Sequence, residues 1–133
     1  MDEAQRPGRA GPILHFRGMA GQGIRLAAIV IRPKDEPAPP PIRLSEAEIA
    51  PRRIAQIAGI AVWRHDFTLT PADGGYEFEG TFHAVATDLS GDLRLAFVSC
   101  NGEENGDLDR DGAERNLMWR RLARDHARAP FAL

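Results

Sequence analysis

Cysteine and long apolar runs are what this sequence of 133 residues has least of. Its single cysteine, Cys100, excludes an internal disulfide, which agrees with a reducing compartment. No run approaches the roughly 18 consecutive apolar residues of a membrane-spanning helix. The first ten residues contain no apolar core of a secretory signal, so we expect a cytoplasmic protein, provided that Met1 is the true start.

An excess of one charge is also absent. The chain has 17 basic and 19 acidic residues, a net charge of −2, which does not favour binding to nucleic acid or to a membrane surface. What it has in quantity is glycine and proline, 13 and 10 residues, beside an apolar share of 43%. This composition suits short strands joined by turns around a hydrophobic core.

Residues 12–90 carry five to seven short β-prone segments separated by turn signals, which predicts a small β-sandwich. The segment 24–31 places Ile24, Leu26, Ala28 and Val30 on one face. Residues 76–84 alternate most regularly, with Phe82 and Ala84 on the same face as Tyr76. We expect residues 63–69 and 76–85 to form a hairpin around Asp73-Gly74-Gly75.

Two connecting segments have their own signals. The proline-rich stretch 33–41 predicts an exposed, extended loop, because proline removes the N–H donor that a sheet interior needs. Ser45, with Glu48 three residues later, predicts the start of a short helical turn.

The pattern changes near residue 91. An apolar strand is predicted at 93–98, followed by a turn at 99–102, an acidic loop to Asp111 and a helix over 112–127. Asp111 and Glu114 fit a capping box at the start of that helix. Its apolar face would carry Met118, Trp119, Leu122, Ala123 and His126.

After Pro130, residues 131–133 resemble the start of another strand. This order is that of an α/β crossover unit. We therefore expect a mobile tail at 1–11, a β-sandwich at 12–90 and a truncated α/β unit at 91–133, so that the chain would be a fragment.

Cys100 is the leading candidate for chemistry. It follows directly after a predicted strand, and functional residues gather beyond the carboxyl ends of strands in open α/β sheets. Its thiolate would suit a borderline metal or act as a nucleophile, whereas an inert, buried cysteine is the alternative.

The other ligand-type residues give weaker patterns. Asp107, Asp109 and Asp111 match half of a calcium loop, but Met118 stands where the closing glutamate is needed, so a solvated acidic loop is favoured. None of the four histidines has a partner at metal spacing. His65 and His83 lie on strands that we expect to pair, and structural roles are favoured for both.

Residues from about 54 to 133 resemble the start of PhoD-like metallophosphatases, the alkaline phosphatase D family. The matching parts are Val62-Trp63-Arg64, the strand at 76–82, the run Leu93-Arg-Leu-Ala-Phe-Val-Ser-Cys-Asn-Gly, the helix containing Asn116-Leu-Met-Trp, and Pro130-Phe-Ala-Leu. The resemblance implies an immunoglobulin-like β-sandwich followed by a calcineurin-like α/β catalytic domain.

The same resemblance implies a function. Family members hydrolyse phosphoesters with metals, iron and calcium among them, and Cys100 matches a cysteine that resembles an iron ligand in some members. A metal-bridging aspartate and further ligands would lie beyond Leu133, in the remainder of the catalytic domain. This chain alone is therefore expected to be inactive and to bind no metal tightly. Because a truncated α/β unit leaves an open strand edge and an apolar helix face, we also expect the chain to self-associate. Many members are exported by a twin-arginine signal, which this N-terminus lacks.

The rival interpretation is a non-enzymatic β-sandwich binding module.

Overall fold

The computed structural model describes residues 7–98, 111, 113 and 116–133. Within these residues, eight strands precede one helix, α1 (Leu117–Arg128). The strands are β1 (Ala10–Ala20), β2 (Gly23–Pro33), β3 (Ile42–Arg43), β4 (Glu48–Ile49), β5 (Arg52–Ile57), β6 (Ile60–Leu69), β7 (Gly75–Phe78) and β8 (Thr81–Ala84).

The strands form two antiparallel sheets. The first sheet has the order β1-β2-β6-β5 and the second the order β4-β3-β7-β8. Apolar side chains from both sheets make a single buried cluster that includes Leu26 and Val30 of β2, Phe67 of β6 and Phe78 of β7. Two sheets that share one core make a β-sandwich, which confirms the predicted mainly β architecture.

β2 follows its sequence pattern closely. Ile24, Leu26, Ala28 and Val30 are each at most 1% exposed and belong to the core. Opposite them on β6, in antiparallel register, lie Leu69, Phe67, His65 and Trp63 in turn. The period-two alternation therefore predicted the inner face of this central strand pair correctly.

The predicted hairpin between residues 63–69 and 76–85 is wrong. β6 pairs with β2 and β5, whereas β7 pairs with β3 and β8, so the turn at Asp73 carries the chain from one sheet to the other. Asp73 accepts hydrogen bonds from the backbone N–H of Thr70 at 2.7 Å and from the hydroxyl of Ser45 at 2.5 Å. It thereby ties this crossing to the turn between β3 and β4.

Residues 76–84 also form two strands rather than one. Glu79 and Gly80 have φ angles of 50° and 78°, and they make a two-residue turn between β7 and β8. Two consecutive positive φ angles are the mark of a type I′ hairpin turn. Because the turn contains two residues, Tyr76 lies opposite His83, and Phe82 faces away from the core with 59% of its surface exposed.

The helical turn predicted at Ser45 is likewise not present. The backbone N–H of Leu44 donates to the carbonyl of Ala47 at 2.8 Å, which closes a tight turn between the short strands β3 and β4. Pairing of Ile42 with Ile49 in that hairpin buries Ile42 completely, so burial outweighs the local capping signal.

An ion pair between a buried arginine and an exposed glutamate joins the two sheets at one end of the core. Arg32 of β2 points inward, is 6% exposed, and contacts Glu79 with its guanidinium 2.6 Å from the carboxylate. The guanidinium also donates to the carbonyl of Ile31 and lies 6.0 Å from the ring centre of Phe78. These contacts compensate the charge that burial would otherwise leave unsatisfied.

The chain after residue 91 differs from the predicted strand and helix in detail. Residues 93–98 belong to neither sheet and form no strand within the described part of the chain. α1 begins at Leu117, and Asn116 before it makes no side-chain capping bond. The predicted partner Glu114 lies outside the described residues. Of the described helices, none is long and apolar enough to cross a membrane.

Candidate functional site at the edge of the sandwich

A groove of about 730 Å³ lies between the sandwich and α1. One wall comes from β1, β7 and β8, and the opposite wall from α1 and the segments before and after it. The lining residues are Pro12, Leu14, Tyr76, Phe82, His83, Ala84, Ala96, Val98, Trp119, Leu122, Ala123, His126, Ala127 and Phe131. Trp119, Leu122, Ala123 and His126 are four of the five residues that the helical spacing placed on one face.

His126 connects α1 to the sandwich. Its Nε2 lies 2.7 Å from the carbonyl oxygen of Ala84, and its Nδ1 lies 3.0 Å from the backbone nitrogen of Phe131. A carbonyl can only accept a hydrogen bond and a backbone N–H can only donate one. The contacts therefore select the neutral imidazole with its proton on Nε2, which bridges β8 and the end of the chain.

Tyr76 and His83 stack on the sandwich wall of the groove. Their ring centres are 5.0 Å apart with an angle of 22° between the planes. Burial raises the pKa of Tyr76 to about 12, and burial lowers the pKa of His83 below its usual value. At neutral pH both side chains are therefore uncharged.

The lining of the groove is mostly apolar, with a few polar side chains. Its lining contains a protonated phenol, imidazoles and apolar side chains, and none of the described lining residues is a carboxylate, a thiol or a lysine. Such a surface can bury an apolar partner and satisfy a few polar atoms.

The main sequence-predicted site lies outside this description. Cys100 and most of the acidic loop with its calcium-like pattern fall outside the described residues. Of the aspartates in that pattern, the structure describes only Asp111, which is exposed. Across residues 7–98, 111, 113 and 116–133, no group of three or more His, Cys, Asp or Glu side chains could hold a metal ion.

The two histidines that we expected on paired strands lie in different sheets. His65 is completely buried on β6 and contacts Phe78 edge to face, with ring centres 5.8 Å apart. Its Nε2 donates to the carbonyl of Pro40 at 3.1 Å. His83 instead faces Tyr76 in the groove. The structural role predicted for His65 agrees with this environment.

Sequence reasoning missed the pairing of Tyr76 with His83. The signal was present in Glu79-Gly80, because glycine at the second position of a two-residue turn is typical of a type I′ hairpin. A hairpin there places residues 76 and 83 side by side, which an unbroken strand through 76–84 cannot do.

The fold and the groove together define a two-sheet antiparallel β-sandwich with a helix lying along one open edge. Comparisons with protein-family models, with curated proteins and with solved structures found no match for this chain.

Proposed function

We propose that this chain is the N-terminal region of a metal-dependent phosphoesterase resembling alkaline phosphatase D. In this proposal, residues 12–90 are an immunoglobulin-like sandwich, and residues 91–133 open the catalytic α/β domain. Metal ions bind only when the remainder of that domain is present, with Cys100 as the ligand that this chain contributes. The substrate is a phosphate monoester or diester.

The observation that carries the proposal is the path of the chain after residue 91. Val98 and Trp119, the latter near the start of α1, both line the groove, while Arg94 contacts the chain just after the helix ends. There the Arg94 guanidinium donates to the carbonyl of Ala129 and lies 4.7 Å from the ring centre of Phe131. The helix thus runs back along the segment that precedes it, as in a βαβ crossover.

The end of this path has a second feature of a crossover. The backbone N–H of Ala132 donates to the carbonyl of Arg94 at 2.8 Å, so the residues after α1 lie beside the segment before it. Two strands that flank a crossover helix often neighbour each other in this way.

Exposed apolar side chains on the segment 93–98 and on α1 support the same proposal. Leu95 and Phe97 are 62% and 92% exposed, and Leu117 and Met118 on α1 are 60% and 61% exposed. Strands of parallel α/β sheets are normally buried on both faces. The exposed surface is what such a segment and helix would present if other residues supplied the sheet that covers them.

One observation favours the rival function, a non-enzymatic binding module. α1 is fixed to the sandwich by the His126 hydrogen bond to Ala84, and the groove between them has the apolar lining of a binding surface. In that case residues 93–133 would complete the module itself, and phosphoester hydrolysis would be absent from any longer protein that contains it.

Hydrolysis assays on two proteins separate the alternatives. The 133-residue chain and the full reading frame that contains it are assayed with p-nitrophenyl phosphate and bis(p-nitrophenyl) phosphate, with added iron, calcium or manganese. We expect turnover by the longer protein alone, because metal-assisted hydrolysis needs several ligands and open coordination positions. Robust turnover by the 133 residues, or none by a longer protein, would contradict the proposal.

Substitution of Cys100 tests its role. In the longer protein, Cys100→Ser should lower both the affinity for iron and kcat/KM about 100-fold. A loss of that size is at the upper limit of what is seen when a residue that only supports a metal ligand is replaced. Asn101→Ala, at a neighbour to which the resemblance assigns no role, is the control and should leave both unchanged. Retention of iron and activity by Cys100→Ser would remove Cys100 from the metal site.

A further inference from the structure

A basic depression lies on the outer face of the first sheet, on the side away from the core. It measures about 330 Å³ and is lined by Arg17 of β1, Arg25 of β2 and Arg64 of β6, together with Asp66 and Thr68. Leu26 and Phe67, whose side chains face the core, also line it. We propose that this depression binds a small phosphate-bearing anion, and this inference is independent of the proposed function.

The register of the strands brings the arginines together. Arg25 lies opposite Thr68, Arg64 lies two residues from Asp66 on the same face of β6, and Arg52 of β5 lies opposite Arg64. Ala27 of β2, which lies opposite Asp66, is 2% exposed and is therefore covered by its neighbours on this face.

Arg17 lies at a β-bulge of β1 beside this depression. Phe16 pairs with Leu26 and Gly18 with Arg25, so Arg17 is the extra residue of β1 at this point. A bulge changes the direction of the side chain it carries, and bulges of this kind are frequent beside functional sites. Because Phe16 pairs with the inward-facing Leu26, regular alternation also places Arg17 on the outer face, and the bulge offsets it from Arg25 along the strand.

The charges in this region are unequally compensated. Arg64 and Arg52 share Asp66, with nitrogen–oxygen distances of 2.8 Å and 3.4 Å. Burial acts against ionisation of Asp66, but the hydrogen bonds and charges of Arg64 and Arg52 hold its pKa below the usual value. Within the part of the chain that the structure describes, Arg17 and Arg25 make no ion pair, and Arg25 donates only to the carbonyl of Met19 at 3.1 Å.

An anion would relieve this imbalance. Two arginines without carboxylates, beside a third that shares one, leave a local excess of positive charge on a chain whose net charge is −2. Guanidinium groups bind phosphate through paired N–H donors, which makes phosphate the favoured ligand over a singly charged ion. The volume is at the lower end of the range for small-molecule sites, which suits a compact phosphate ester or pyrophosphate.

Calorimetric titration of the 133-residue protein with inorganic pyrophosphate tests the site. We expect saturable binding that weakens about tenfold or more in Arg17→Gln/Arg25→Gln, because charge-assisted contacts to phosphate are lost. The matched control is Arg121→Gln/Arg124→Gln, which removes the same charge from the exposed face of α1 and should bind as the parent does. Circular dichroism checks that both variants remain folded.

Three results would overturn the inference. The first is the absence of saturable pyrophosphate binding. The second is an equal loss of affinity in both double variants, which would assign the effect to overall charge. The third is binding to sedimented vesicles that contain phosphatidic acid, without binding to soluble pyrophosphate. That result would replace a small-molecule site with a lipid-binding surface.

Discussion

The imidazole of His65 lies wholly inside the sandwich, between Ala28 on the neighbouring strand and the ring of Phe78 on the opposite sheet. Burial is the main cause that lowers its pKa below the usual 6.5, while hydrogen bonds to backbone groups act in the opposite direction. A buried imidazole that stays neutral avoids the cost of placing a charge in the core. This makes folding sensitive to pH at this residue.

The sign of that sensitivity follows from proton binding. Below pH 6.5 the unfolded chain protonates His65 while the folded chain does not, so stability is lost as the pH falls from 6.5 toward the folded pKa. We expect the free energy of unfolding by urea to decrease as the pH is lowered from 7 to 5.5, because burial lowers the folded-state pKa of His65. His83 has a lowered pKa for the same reason and acts in the same direction.

His65→Gln tests the assignment, because its amide can still donate to the carbonyl of Pro40 but does not titrate. The variant should show a flatter dependence of unfolding free energy on pH, and His65→Gln/His83→Gln the flattest. An unchanged slope in His65→Gln would show that other groups cause the acid sensitivity.

Two hairpins of the first sheet use the same turn with different residues. Gly21 between β1 and β2, and Ala58 between β5 and β6, have φ angles of 61° and 50°, and each is followed by a residue without positive φ. This is the pattern of a type II′ turn, which favours glycine at the first position. Ala58 is therefore strained, whereas Gly21 is not.

Exchange of the two residues should have opposite effects. Ala58→Gly should raise the unfolding free energy by about 0.5 kcal/mol, as relief of strain exceeds the added entropy of the unfolded chain. Gly21→Ala should lower it by a similar amount, and since no atom lies within 4 Å of the added methyl group, the effect is one of backbone conformation alone. Effects of equal sign in urea unfolding would refute the turn assignment.

Strand faces were predictable from the sequence only as far as the turns were recognised. β2 has no turn inside its apolar run, and its alternation identified the inner face correctly. Between Tyr76 and Ala84 the alternation continues unbroken through Glu79-Gly80, although the chain reverses there. A two-residue hairpin pairs even with odd positions, which is why Phe82 lies outside and His83 beside Tyr76.

At the scale of the whole molecule, local patterns could not show which strands share a sheet. The turn at Asp73 has the glycines of a hairpin, yet it joins the two sheets, because β7 gains its partners from β3 and β8. The groove follows from this arrangement, since it forms where β1, β8 and α1 meet. The helix face was predictable from its 3.6-residue period, but the wall against which it packs depends on contacts distant in sequence.

Exposed apolar residues after position 91 lead to a prediction about assembly. Phe97 and Met118 are 92% and 61% exposed, on a segment and a helix that neither sheet covers. Large uncovered apolar surfaces favour association. We expect light scattering during size-exclusion chromatography to give a mass for the isolated chain that rises with concentration. The double variant Phe97→Lys/Met118→Lys should shift this mass toward that of the monomer.

The control Ile57→Lys, at a residue 64% exposed on β5, should leave the mass unchanged. A concentration-independent monomer would show that these apolar side chains drive no assembly. An equal shift with Ile57→Lys would place the contact on the sandwich instead.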